Sequence, residues 1–395
     1  MRKTAMLAAA AAALTLGTVS PAMADPSGGH GFTLAVYGDA PYGTSPTDTA
    51  QFQAMPAFID SINNDPQVSL VAHVGDIHSG KQYCTQAYDQ SVYNLWRRYQ
   101  KPVVYTPGDN EWTDCHKAAE GGGAYNSATQ QIDYVLDPVT HQPVDYARGN
   151  PVANLDLVRS IFFSKPGSTL GNGKQHVLSQ AQVYDRAHPT DSKYVENVMW
   201  QQKGIQFVTL NIAGGSNNDN DVWYGAPSQS AAQAKEVAGR TAADLRWLDR
   251  AFSQAREDNA KGVVIFAQAD MWDVDGNTPA HLTQYDPFVA SIASHTSQFG
   301  KSVLLFNGDS HQYKSDNPLS PSASCVGEVA GGGEGACASV ASVHPGYDVP
   351  NFHRVVVHGS TFPLEWLKLT IDTNASNPAS ANAFGPFSWQ RMTQH

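Results

Sequence analysis

Four runs of apolar or β-branched residues in this chain end in Gly-Asp: Tyr37-Gly38-Asp39, Val74-Gly75-Asp76, Pro107-Gly108-Asp109 and Asn307-Gly308-Asp309. Continuous apolar runs are the pattern of strands covered on both faces. A glycine lets the backbone turn sharply as strand gives way to loop. The acid after it then stands at the carboxyl edge of the sheet, where open α/β folds assemble their sites. Four carboxylates gathered at one edge repel one another unless a cation lies among them. The pattern predicts an α/β layered fold with a metal site along one edge.

Strands are predicted over 32–39, 68–76, 102–109, 205–212, 262–269, 302–309, 353–359 and 364–372. Helical periodicity covers 52–62, 87–99, 152–163 and 230–257. Alternation of the two argues an α/β architecture. Extended stretches at 195–200 and 205–212, joined by Gln201, Gln202, Lys203 and Gly204, predict an antiparallel hairpin and so a mixed sheet. The segment from about 116 to 191 reads as a long insertion, and 374–395 as a loosely held tail. The Gly331–Gly335 run lacks the ending of a nucleotide-binding P-loop and reads as a flexible loop tethered between Cys325 and Cys337. The stretch of Asn211, Gly214, Gly215, Ser216, Asn217 and Asn218 fits either a substrate rim or an ordinary surface turn.

Residues 1–24 read as a secretory signal, with Arg2 and Lys3 at its start, an apolar stretch from Met6 to Leu16 and cleavage after Ala24. No later window is long and apolar enough to span a bilayer. An exported chain, periplasmic or extracellular, is expected. It would keep 371 of the 395 residues, with the main domain over 25–373. Losing the two leader cations takes the formal charge from −11 to −13. No Lys/Arg cluster offers a stripe for phosphate backbones, which excludes nucleic acid as a partner. The four cysteines form two sequence-local pairs, Cys84/Cys115 and Cys325/Cys337, expected to be disulfides in an oxidising compartment. A zinc site requires tighter spacing than either pair has.

Beyond the four acids, Gln268 falls near the end of a predicted strand, and His311 lies two residues after Asp309. Oxygen donors with one imidazole suit Mn²⁺, Mg²⁺, Fe or Zn²⁺. His73 sits inside a strand pattern and reads as a satisfied buried residue, and Glu111 as a brace for the third motif. Gly308-Asp309-Ser310 also matches the nucleophile block of Gly-Asp-Ser esterases, but it falls late in the chain. No Gly-x-Ser-x-Gly elbow occurs. A serine esterase is thus the third-ranked function.

The ordered set Asp39-Ala40-Pro41, Gly75-Asp76-Ile77-His78, Gly108-Asp109-Asn110-Glu111, Gln268 and Gly308-Asp309-Ser310-His311 resembles the calcineurin-like metallophosphoesterase superfamily, across nearly the whole chain after the leader. The resemblance implies two facing mixed β-sheets flanked by helices and two divalent metal ions (Mn, Fe, Zn or Mg). It implies a hydrolase that cleaves small phosphorylated substrates, mono- or diesters, with a metal-activated hydroxide. Residue by residue, it implies that Asp39 and His311 hold one metal, that Asp76 bridges, and that Asp109, Gln268 and Asp309 hold the other. Pro41 stands where the family has a metal-binding His. Asp109 replaces Asn, and Gln268 and Asp309 each replace His. Asn110 replaces the His that protonates the leaving group, and an amide cannot act as a general acid. Asn110 is then expected to position a phosphoryl oxygen, with His78 or His116 as substitute proton donor and Tyr42 filling space beside the first metal. These substitutions also motivate the alternative of a non-catalytic binding protein on the same fold.

Overall fold

The computed structural model describes residues 31–274, 277–329 and 333–394. The predicted leader lies outside them. In chain order the elements are β1 (Gly31–Tyr37), α1 (Ala50–Asn63), β2 (Val68–His73), α2 (Gln86–Trp96), β3 (Val103–Tyr105), β4 (Gly123–Asn126) and β5 (Gln131–Tyr134). Next come α3 (Pro151–Phe162), β6 (Leu178–Ser179), β7 (Val198–Gln202), β8 (Ile205–Thr209), α4 (Gly214–Asn217), α5 (Ala231–Glu257) and β9 (Gly262–Phe266). The chain continues with α6 (Pro279–Thr283), α7 (Asp286–Phe299), β10 (Ser302–Asn307), β11 (Lys314–Asp316), β12 (Val326–Val329) and β13 (Gly333–Ala336). It closes with β14 (Phe352–Val356), β15 (Glu365–Asp372), β16 (Ala383–Phe384) and β17 (Phe387–Thr393).

Two mixed sheets carry fifteen of these seventeen strands, and β4 and β5 pair antiparallel in a two-stranded sheet of their own. The first runs β16-β17-β15-β1-β2-β3, and the second β13-β12-β11-β14-β10-β9-β8-β7-β6. β1, β2 and β3 are parallel neighbours, as are β8, β9, β10 and β14. The predicted hairpin is present as antiparallel β7 and β8. Alternation along β1 shows how the layers form. Leu34 and Val36 face a core shared with Phe207, Phe266, Leu304 and Phe306 of the second sheet. Ala35 and Tyr37 point the other way, against Met55, Phe58 and Ile59 of α1 and Trp96 of α2. On the far side of the second sheet, Trp247, Leu248 and Phe252 of α5 and Phe288 and Ile292 of α7 cover Val208, Val263, Ile265 and Val303.

Local chemistry starts the helices. Thr85, Asn150 and Ser230 accept hydrogen bonds from the backbone N–H groups of Tyr88, Ala153 and Gln233, and Pro151 opens α3. Both disulfides form as the local pairing requires, Cys84–Cys115 and Cys325–Cys337. Among the described residues, no helix is long and apolar enough to cross a membrane.

Two expectations need correction. The closing segment is not loosely held: β17 pairs with β15 from Glu365↔Thr393 to Ile371↔Phe387, and Phe387 and Trp389 are buried. Their alternation is a strand signal that the Asn/Ser/Pro-rich stretch before it obscures. Nor is the part of the Gly331–Gly335 run that the structure describes a plain loop, residues 331 and 332 lying outside the described residues. Gly333, Glu334 and Gly335 belong to β13, which pairs antiparallel with β12, and Cys325–Cys337 ties the base of that hairpin.

Candidate metal centre

The carboxyl ends of β1, β2 and β3 meet those of β8, β9 and β10 where the facing sheets come together. Asp39, Asp76 and Asp109 follow the first three strands, and the turn at Gly214, Gln268 and Asp309 follow the other three. Asp39, Asp76, Asp309 and His311 all have positive φ, at 50°, 61°, 74° and 64°. Side chains rarely adopt that conformation, and it concentrates at functional sites. Missing side chains let the loops interlock. A Cβ at Gly108 would collide with the Asp76 carboxylate, and one at Gly308 with that of Asp39.

Asp39, Asp76 and Asp109 are buried, and Asp309 is half-buried. Burial, reinforced by the charges of Asp109 and Glu111, pushes Asp39 up from 3.8 to about 8. Burial and then the Asp114 charge raise Asp109 to about 7. Asp76 and Asp309 lie well above the carboxylate range, through burial and the charge of Asp109. A cluster so reluctant to ionise without a counter-charge is what a cation site looks like before its cation arrives.

Asp39 Oδ1 accepts from the Asp309 N–H at 2.9 Å, whereas the buried Oδ2 has no protein donor. Ligand atoms of Asp39, Asp76 and His311 lie within 4.8 Å of one another. Burial lowers His311 to about 4, so its ring is neutral at physiological pH and keeps a lone pair for a metal. These three residues fit a divalent cation. The Tyr42 hydroxyl donates to Asp76 Oδ2 at 2.5 Å, accepts from Asn110 Nδ2 at 2.8 Å and lies 3.2 Å from His311 Nε2. Asn110 Nδ2 also donates to Asp76 Oδ2 at 3.0 Å.

Gln268 and Asp309 sit beside Asp109, but Gln268 does not offer them a ligand atom. Its Oε1 accepts from the Gly214 N–H, and its Nε2 donates to Asp109 Oδ1 at 3.0 Å and Asp76 Oδ2 at 3.4 Å. The amide thus turns its donor side toward Asp109 and Asp76.

Tyr42, Asp76, Asp109, Asn110, Asp309 and His311 line a cavity of about 470 Å³ that also presents Lys81, an exposed cation. His78 does not line it. Its ring is buried against Tyr88, with Nδ1 at 3.2 Å from Ser79 O, and burial lowers it to about 4. His116 is absent from the lining too. Its Nδ1 accepts from the Tyr224 N–H at 2.9 Å. Its neighbours Asp114 and Asp221 are both 2.7 Å from Lys117, which already offsets part of that trio's negative charge. His73 is buried, accepting from the Gly75 N–H at Nδ1 and bonding Ala40 O through Nε2. Glu111 accepts from the Gly108 N–H at 2.7 Å and from the Tyr105 hydroxyl, and thereby braces the third motif.

The turn after β8 carries a part of the site that composition left open. Gly215, Ser216, Asn217 and Asn218 are all left-handed, with φ of 58°, 62°, 54° and 64°. Buried Arg240 holds them, donating to Asn217 O at 2.8 Å and Asn211 O at 2.9 Å. Asn218 Nδ2 donates to Glu236 at 2.8 Å. The turn delivers Gly214 against the acids: a Cβ there would stand 2.6 Å from Asp309 Oδ1 and closer still to Asp109 Oδ2. The recurring Gly and Asn were the available signal, and four consecutive left-handed residues are its meaning.

The family model described as calcineurin-like phosphoesterase matches residues 32–240. Among solved structures the chain is similar to the purple acid phosphatase PPD1 isolated from yellow lupin (Lupinus luteus) seeds, with 10% identity and a TM-score of 0.37. The match covers 92% of this chain and 52% of the phosphatase, so the chain spans about half that protein's length. No curated protein matches it.

Proposed function

Because this chain belongs to the calcineurin-like phosphoesterase family, we propose that it is an exported, metal-dependent hydrolase of small phosphate esters. One observation carries the proposal: Asp39, Asp76 and His311 bring ligand atoms within 4.8 Å, and Asp76 and His311 line an open cavity. These three residues would hold a divalent cation, which when bound sets positive charge against phosphoryl oxygens and acidifies water.

The chain's own groups supply the rest. Asn110 presents amide hydrogens beside Asp76 and positions a phosphoryl oxygen. Lys81 attracts an anionic ester to the cavity. His311, neutral, keeps only a weakly acidic ring N–H and does not serve as a general acid. With His78 and His116 packed away from the lining, His311 is the one imidazole among the described residues that lines the cavity. The site is therefore suited to esters whose leaving group departs without protonation. Export accords with the two disulfides, which persist in oxidising compartments.

The test is turnover of a series of aryl phosphate mono- and diesters by the mature protein loaded with Mn²⁺, Fe²⁺ or Zn²⁺. Turnover should rise steeply as the leaving group becomes more acidic, and Asp76→Asn should abolish it. Inactivity toward every ester with every cation would favour the binding protein that the loss of an acid at Asn110 suggests.

A further inference from the structure

The family resemblance implies a pair of cations. We propose that this chain holds one, at Asp39, Asp76 and His311, and that hydrogen bonds close the second position between Asp109, Gln268 and Asp309. The inference rests on the metal-dependent reading above and refines the same site.

Gln268 decides the matter by its orientation. A side-chain amide can ligate a cation only through its oxygen. The backbone N–H of Gly214 is a donor and nothing else, so it must take Oε1. The NH₂ group is thereby turned onto Asp109 Oδ1 at 3.0 Å and Asp76 Oδ2 at 3.4 Å. Its hydrogens stand where a second cation would need lone pairs.

Asp76, the residue expected to bridge, is also occupied. Its Oδ2 accepts from Tyr42, Asn110 and Gln268, and its Oδ1 lies 3.3 Å from the Asn110 N–H. A carboxylate offers about four acceptor positions. The Tyr42 hydroxyl can turn aside for a cation, whereas the Gln268 amide is held in place by the Gly214 N–H. Asp309 Oδ2, for its part, accepts from the Asp270 N–H at 2.9 Å. Asp309 Oδ1 and Asp109 Oδ2 flank the Cα of Gly214, which brings no donor atom of its own to a metal there. On the other side, Asp39 Oδ2 has no protein donor and faces no such competition.

Elemental mass spectrometry of the mature protein, loaded separately with Mn²⁺, Fe²⁺ and Zn²⁺ and freed of excess, tests this without recourse to activity. One equivalent is expected for the wild type, none for Asp39→Asn and two for Gln268→His, whose imidazole restores a lone pair. Two equivalents in the wild type would overturn the inference while leaving the metal-dependent hydrolase intact. One equivalent in Asp39→Asn would put the cation elsewhere and overturn it too. A Gln268→His protein that still binds one would show that the amide is not what excludes the second cation. No binding of any of these metals by the wild type would defeat the metal-dependent reading itself.

Discussion

Asp39 and Asp109 are carboxylic acids that hold their protons to about 8 and about 7, because burial and neighbouring negative charge penalise the ionised form. Without a cation, the folded chain therefore binds protons that the unfolded chain has released above 3.8. Stability then falls as pH rises from 3.8 toward each folded value, where the loss levels off, by up to about 1.4 kcal/mol per pH unit for each such group. Buried His73 and His78 and half-buried His311 act in the opposite sense, since their lowered values favour folding as pH rises, but that gain is complete above 6.5. Between pH 6.5 and 8 the carboxylates set the slope. Chelator-treated protein should melt at a lower temperature at pH 8 than at pH 6.5, and saturating Mn²⁺ or Zn²⁺ should abolish or reverse the trend, because a cation binds the ionised acids. A flat melting profile in chelator would show that the acids are not protonated in the fold. The positions of these acids were legible in the sequence, since Gly-Asp after an apolar run places them at a strand end. The orientation of Gln268 was not, because it depends on the N–H of Gly214, a backbone group with no sequence signature.

At the scale of elements, α5 does more than cover the second sheet. Arg240, fully buried, pairs with Glu236 one turn earlier at 2.8 Å, lies over the Trp112 ring and holds the left-handed turn from Gly215 to Asn218. Left-handed backbone costs about 1–2 kcal/mol per L-residue, so the turn depends on what grips it. Arg240→Ala would leave Glu236 without its guanidinium partner inside the protein and should cost about 3–5 kcal/mol in urea unfolding. Arg240→Lys should recover only part of this, because a point charge cannot serve Asn211, Asn217 and Glu236 together. A loss below about 1 kcal/mol for Arg240→Ala would show that the other hydrogen bonds suffice. The helical pattern of α5 was plain from Leu245, Leu248 and Phe252, because an apolar stripe follows from local period. β12, β13 and β17 were missed for the converse reason. The glycines of β13 give no local strand signal, and the alternation of Phe387 and Trp389 in β17 is masked by the Asn/Ser/Pro-rich stretch before it.

For the whole molecule, the two disulfides have unequal consequences. Cys84 and Cys115 close a separation of 31 residues and Cys325 and Cys337 one of 12. By loop-closure entropy the first contributes about 3–4 kcal/mol and the second about 3 kcal/mol. The difference lies in what each ties together. Cys84 follows the loop that carries Asp76, and Cys115 follows the turn that carries Asp109 and Asn110, with both sulfurs within 3.5 Å of Asn110 O. Cys325–Cys337 secures only the β12–β13 hairpin at the outer edge of its sheet. Replacing either pair by serine should therefore lower the melting temperature, but only the Cys84→Ser/Cys115→Ser protein should lose metal affinity. Calorimetric titration of the chelator-stripped proteins with Mn²⁺, at a temperature where both variants are folded by circular dichroism, separates the two effects. Equal metal affinity in both variants would show that the Asp76 and Asn110 loops are held by their own packing, and that the disulfide between them serves stability alone.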